Sequence, residues 1–313
     1  MPTPPSVALL IPVFDDWDAA NLLCRELDRA AETLTGVLLR IYLIDDGSST
    51  APPAQAFSWT PRSLHGVSVV RLRRNVGHQR AIALGLAYLY DVTDVSAVLV
   101  MDGDGEDKPE DAIALVRLHL ADATRIIFAA RRRRIEGLAF RAGYALYRFC
   151  HWLLTGIEVR IGNFSIVPRR LIGAIVVSSE SWSHYAASVV KAKLPFTTVP
   201  MDRGTRLAGQ SRMNYVALVT HGLSAMSVFR ELAGTRLLLA SCAAAAILLA
   251  LAPMFFVVPG ILLFIILLVA IQAVAASFVL AFFILGGRDQ SAFLPIRDYR
   301  FFIDGVSTLN GHS

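Results

Sequence analysis

Residues 237–287 contain no Asp, Glu, Lys, Arg or His. A helix needs about 20 apolar residues to cross a bilayer, so a run of this length has room for two spans with a short turn between them. Pro253, Pro259 and Gly260 mark the turn, and the spans are expected at 236–253 and 260–285. A buried core helix does not reach this length. Arg230 and Arg236 precede the run, Arg288, Arg297 and Arg300 follow it, and the turn carries no charge. The excess of positive charge on cytoplasmic flanks therefore predicts both termini on the cytoplasmic side of the inner membrane.

The rest of the chain reads differently. Apolar runs at 7–14, 38–44, 67–72, 97–101 and 126–130 have the length and β-branched content of buried strands. Between them, 19–34, 78–90 and 109–121 carry apolar residues at helical spacing or a proline suited to a first helical turn. Strands alternating with helices predict an α/β domain with a mostly parallel sheet covered on both faces. Cys24, Cys150 and Cys242 are scattered and lack metal-ligand spacing, which fits a reducing compartment. The net charge of +5, with Arg far exceeding Lys, suits a surface lying against anionic lipid. Nucleic acid is a poor partner, because the basic residues are not interleaved with an aromatic binding motif.

The 97–101 run ends abruptly in Asp102-Gly103-Asp104-Gly105-Glu106-Asp107. In extended backbone, side chains at i and i+2 share a face, so Asp102 and Asp104 can converge. Two carboxylates there repel unless a cation lies between them, and Mg2+ or Mn2+ shared with substrate phosphates suits oxygen ligands of this kind. A solvated acidic loop would contain the same residues. A calcium loop does not fit: Asp107 stands where the sharp turn requires Gly, and Ile113 where a bidentate Glu is required. Asp15-Asp16 and Asp45-Asp46 also follow strands, and ligands of open α/β sheets bind beyond the carboxyl ends of strands.

Taken in order, Pro12-Val13-Phe14-Asp15-Asp16, Ile44-Asp45-Asp46-Gly47-Ser48, Asn75-Val76-Gly77 with Ala81 and Gly85, and Asp102-Gly103-Asp104 resemble family 2 glycosyltransferases of the GT-A fold. Arg203-Gly204-Thr205-Arg206 followed by Gly209-Gln210-Ser211-Arg212 resembles a segment of the branch that contains dolichol-phosphate mannose synthase and bacterial polyprenyl-phosphate glycosyltransferases. The resemblance implies a nucleotide-sugar-binding, Rossmann-like GT-A domain over 1–212, a connecting interfacial helix over 213–235, the two-helix transmembrane hairpin over 236–287, and a cytoplasmic tail over 288–313. It implies that Pro12, Val13, Phe14, Asp16, Asp45, Asp46 and Gly77 hold the nucleoside of a UDP- or GDP-sugar. Asp102 and Asp104 would hold Mg2+ or Mn2+ on the diphosphate, and Arg203, Arg206, Ser211 and Arg212 would close over it. The implied reaction is inverting transfer of one sugar to a polyprenyl phosphate, with Asp104 and Arg206 in catalytic positions. Hairpin-anchored enzymes can associate through their spans, so a homo-oligomer is allowed.

Two departures bear on this expectation. The branch shows an Asp about five residues before the Phe of a Gly-Phe pair; here Gly162-Asn163-Phe164 is preceded by Val159, with Glu158 adjacent. Glu158, Glu180 and His184 are the remaining candidates for an acceptor-side acid or base, which a hydroxyl acceptor on a glycolipid or saccharide would need. The acidic loop reads Asp-Gly-Asp-Gly-Glu instead of the common Asp-x-Asp-Leu-Gln. The segment at Gln210-Ser211-Arg212-Met213 lacks the Q-x-x-R-W pattern of processive synthases, and two spans are few for a polymer channel. A degenerate GT-A domain acting as a membrane-tethered nucleotide-binding partner is the non-enzymatic alternative. A helix over 138–154, mixing aromatic residues with Arg141 and Arg148, suits the membrane interface.

Overall fold

The computed structural model describes residues 4–53, 55–131, 148–157, 161–209, 215–251, 258–287 and 293–311. The chain forms two compact units, one comprising Met1–Ile135, Val159–Met213 and Ser291–Ser313, the other Glu136–Glu158 and Asn214–Gln290.

The first unit is built on an eight-stranded sheet in the order β7-β5-β6-β4-β1-β2-β3-β8. The strands are β1 (Ser6–Val13), β2 (Leu38–Asp45), β3 (Gly66–Leu72), β4 (Ala97–Val100), β5 (Ile126–Arg131), β6 (Ser165–Pro168), β7 (Phe196–Met201) and β8 (Ile303–Gly311). Its centre, β4-β1-β2-β3, is parallel, as the alternation of strands and helices predicts. Beyond it the sheet is mixed: β6 runs antiparallel to both β4 and β5, and β8 antiparallel to β3.

Alternation along each strand feeds two cores. Ala8 and Leu10 of β1 face one side with α2 (His78–Val92), and Leu9 and Ile11 face the other with α1 (Trp17–Ala31) and α3 (Pro109–Ala121). Each fully buried Leu or Ile contributes roughly 1.5–3 kcal/mol, so both faces anchor the ends of the strands where the acidic loops leave the sheet. At Gly85 an added Cβ would sit 2.8 Å from Leu10 and 2.9 Å from Ile44, so the bare backbone lets α2 lie directly on the sheet.

The C-terminal segment expected as a tail is folded. Pro295–Phe302 is a helix and β8 completes the sheet. Tyr299 donates a hydrogen bond to Asp91 of α2 at 2.5 Å, and Arg300 pairs with the same carboxylate at 2.6 Å. Sequence periodicity does not show this, because IDGVSTLNG alternates poorly and its pairing partner lies more than 200 residues away.

The second unit is helical: residues 148–155, Tyr215–Ser227, Arg230–Leu251 and Val258–Gly287. Leu154, Met226 and Ala233 form its small buried core. Among the described residues one helix is long and apolar enough to cross a membrane, with Gly260–Leu280 none of it buried. The turn expected at 253–260 falls largely outside the described residues, as does most of the helix expected over 138–154.

Candidate active site

Three loops leave the carboxyl ends of β1, β2 and β4, and hydrogen bonds join the first two. The Asp15 backbone N–H donates to Ser48 Oγ at 2.9 Å, while Asp15 Oδ1 accepts from the Ser49 N–H at 2.7 Å and its hydroxyl at 2.8 Å. Asp15 adopts a left-handed conformation with φ of 47°, which Asp tolerates better than most residues. Trp17 donates its indole N–H to the Thr50 carbonyl at 2.9 Å. The two loops thereby frame a cleft of ≈ 340 Å³ lined by Asp15, Asp16, Trp17, Thr50, Pro53 and Arg206. Phe14, next to Asp15 in the chain, is 40% exposed.

Asp45 and Asp46 point inward. Asp45 Oδ1 accepts the Ser48 N–H at 2.8 Å, and its fully buried Oδ2 lies 3.6 Å from Arg71 Nε without a hydrogen bond among the described residues. Asp46 accepts from the Val76 N–H at 2.7 Å and the Gly77 N–H at 2.9 Å, which fixes the chain entering α2. Burial pushes the Asp46 carboxyl up to about 6, against those two donors and the nearby His78 that lower it. Gly47 carries a φ of +69°, and a Cβ there would lie 2.5 Å from backbone of Arg74 and Asn75, so only glycine lets the two turns touch.

Asp102 and Asp104 lie past β4 with side chains 30% and 22% exposed. Buried Asp107 accepts the Asp102 N–H at 3.0 Å, and Asp104 Oδ1 accepts the Glu106 N–H at 3.0 Å, so the loop is held by its own acids. Asp102 and Asp104 each meet a basic side chain of the chain. His78 Nε2 is 3.1 Å from Asp102 Oδ1, and Arg206 spans from Asp104, at 3.2 Å, to Asp16. Desolvation of the His78 ring works against its charge, but Asp102, Asp46 and Asp104 outweigh it and raise the imidazole above its ordinary value. Arg203 pairs with Glu106.

This donor set fits a divalent ion held jointly with substrate phosphates. Two carboxylates from one loop offer hard oxygen ligands, with His78 beside one and Arg206 beside the other; among the described residues no group of three or more His, Cys, Asp or Glu is placed to hold a metal by itself.

Of the residues expected from sequence, Phe14, Asp16, Asp45, Asp46, Gly77, Asp102, Asp104, Arg203 and Arg206 lie in or beside these loops, while Pro12 and Val13 are buried at the end of β1, Val13 in the core with α1. Ser211, Arg212 and Glu158 lie outside the described residues. His184 is buried, and its Nδ1 caps the helix Tyr185–Lys191 by accepting the Ala187 N–H at 3.3 Å. Glu180 pairs with Lys191 at 2.8 Å and accepts from Ser178. Both side chains thus have structural duties. His78 was not anticipated; its position on the first residue of α2, right after Gly77, was the available signal.

The family model for glycosyl transferase family 2 matches residues 9–172. The chain belongs to this family. An uncharacterized glycosyltransferase of Synechocystis is 25% identical over 71% of this chain and 69% of its own length. Dodecaprenyl-phosphate galacturonate synthase of Rhizobium johnstonii is 25% identical over 56% of this chain and 53% of that one. Undecaprenyl-phosphate 4-deoxy-4-formamido-L-arabinose transferase of Klebsiella pneumoniae is 32% identical over 35% of this chain and 32% of that one. The chain thus spans about half and one third of these last two relatives. Among solved structures, glucosyl-3-phosphoglycerate synthase of Mycobacterium tuberculosis, crystallised with Mn2+, UDP-glucose and phosphoglyceric acid, superposes with a TM-score of 0.51 at 12% identity, over 74% of this chain and 80% of that one. A mycobacterial protein does so with a TM-score of 0.50 at 15% identity, over 74% and 75%. These likenesses establish the GT-A fold.

Proposed function

We infer that the protein transfers a single sugar, with inversion, from a nucleotide-sugar donor to a polyprenyl phosphate at the cytoplasmic face of the inner membrane. The observation that carries this reading is Arg206 spanning Asp104 and Asp16 at the mouth of the cleft. Carboxylates and a guanidinium meet there where a diphosphate would pass from nucleoside to sugar.

In this reading the nucleoside lies between the 12–17 loop and the 45–50 turn, and buried Asp45 and Asp46 hold that turn in place through the Ser48, Val76 and Gly77 N–H groups. Asp102 and Asp104 would hold Mg2+ or Mn2+, which supplies Lewis-acid stabilisation of the leaving diphosphate. Arg206 and Arg203 offer fork-shaped donors matched to phosphate oxygens. The transition state has oxocarbenium character, so charge accumulates on the diphosphate as the glycosidic bond breaks, and fixed positive groups there act mainly in the transition state. A phosphate acceptor is already anionic and needs no general base, which agrees with the structural engagement of His184 and Glu180. The polyprenyl-phosphate names of two relatives support the acceptor class.

The two spans are read as 236–253 and 260–285, which overlap the helices Arg230–Leu251 and Val258–Gly287. The test is transfer by the full chain in lipid, with UDP- and GDP-sugars, undecaprenyl phosphate, and either ion present or withheld. Ion-dependent formation of a sugar-phosphate diester, labile to mild acid, is expected. An acid-stable glycoside would move the acceptor to a hydroxyl, and nucleotide binding without turnover would favour a binding partner.

A further inference from the structure

The two positions at which the acidic loop departs from the family pattern are Gly105 and Glu106, and the structure gives both a use. The segment 203–207 lies along the acidic loop with two backbone hydrogen bonds, Gly204 N–H to the Glu106 carbonyl at 2.8 Å and Leu207 N–H to the Asp104 carbonyl at 2.9 Å. Glu106 pairs with Arg203, and its side chain is 20% exposed. Gly105 has a φ of +85°, and the Cβ of any other residue there would overlap the Leu207 side chain. Gly204 fits as closely: a Cβ on it would lie 3.0 Å from the Gly105 carbonyl. The Leu expected at position 105 and the Leu present at 207 therefore compete for one space.

We propose that Glu106 and Gly105 are positioning residues that fix the 203–207 segment against the acidic loop and so deliver Arg206 to the donor diphosphate. This rests on the transferase reading above. Without the Glu106–Arg203 pair the segment must be ordered when donor binds, and that entropy appears as weaker binding. Arg206 keeps its chemistry in either case, so the effect falls on donor affinity and spares the chemical step.

The experiment uses the full chain in lipid nanodiscs and two readouts. Trypsin cleaves after Arg203 and Arg206, so cleavage there, followed by mass spectrometry without donor or metal, reports whether the segment is fixed. Steady-state kinetics with the nucleotide sugar separate KM from kcat. In Glu106→Ala, cleavage should be about tenfold faster and donor KM about tenfold higher, the scale of one charge-assisted hydrogen bond, with kcat nearly unchanged. Glu106→Gln, which retains an acceptor for Arg203, should recover most of both. Gly105→Ala should reproduce the alanine phenotype although it leaves Glu106 in place, and Gly105→Ala/Leu207→Ala should relieve it only in part, because the φ of +85° strains alanine even when the overlap is removed. Wild-type cleavage rates in both Glu106→Ala and Gly105→Ala would overturn the proposal, as would loss of kcat at unchanged KM. Cleavage needs no turnover, so an inactive wild-type protein would sink the transferase reading while the positioning role was still judged.

Discussion

Two loops on one rim carry nearly the same sequence signature, Asp45-Asp46-Gly47 after β2 and Asp102-Gly103-Asp104 after β4, and their carboxylates have opposite fates. Asp45 and Asp46 are 0% and 3% exposed and accept backbone N–H groups. Asp102 and Asp104 are partly open and face basic side chains, His78 and Arg206, although Asp104 Oδ1 also accepts the Glu106 N–H. Backbone donors cannot leave without unravelling the turn, whereas a guanidinium or imidazole can swing aside for a ligand. The first loop builds the site and the second is able to exchange partners. An acid after a strand is therefore not a ligand by virtue of its place alone; what satisfies it decides.

The sharpest way to break this contrast is Asp104→Asn. Turnover should fall by about a thousandfold, the scale of removing a principal electrostatic contact in the transition state, with thermal stability nearly unchanged. Full activity would remove Asp104 from the ion site. Arg206→Ala should lower kcat/KM by about a hundredfold, and a loss confined to KM would show that Arg206 binds donor without stabilising the leaving group. On the other loop the expected effect is on folding. Asp46→Ala strands the Val76 and Gly77 N–H groups and should lower the unfolding free energy by about 2–3 kcal/mol, measured by denaturant titration of the full chain in detergent. A variant as stable as wild type but inactive would make Asp46 a ligand residue after all.

The same carboxylate gives a pH signature. Its folded value of about 6 lies above the ordinary 3.8 of an Asp carboxyl, so between roughly pH 4 and 6 the folded state binds more protons than the unfolded state. The contribution of Asp46 to stability must then fall as pH rises through that window and level off above it. Melting temperatures across the window should show this slope in wild type and lack it in Asp46→Asn. The smallest effect is expected for His184→Ala, which removes a helix cap worth about 1 kcal/mol and should leave turnover intact; a large loss of kcat would return His184 to the chemistry.

Much of the fold was legible because its signals are local. Strands β1 to β5 and helices α1 to α3 appear as apolar runs and helical periodicity, and Pro109 marks a helix start that the structure retains. The acidic rim could be read as far as residue type, since strand ends and glycines announce loops. Antiparallel β6, the folded segment after 293 and the pairing of β8 with β3 were not legible, because each depends on a partner remote in sequence. His78 and Glu106 escaped for the same reason: a histidine opening a helix and a glutamate in an acidic run look solvated until their partners Asp102 and Arg203 are brought beside them.

The sequence by itself determined that an α/β domain rich in strand-end acids is joined to a long uncharged helical stretch, because periodicity, length and charge are properties of neighbouring residues. Only the tertiary structure decided which acids face backbone and which face exchangeable cations. That choice depends on the distance between loops far apart in the chain, which packing of the sheet sets and no local pattern encodes.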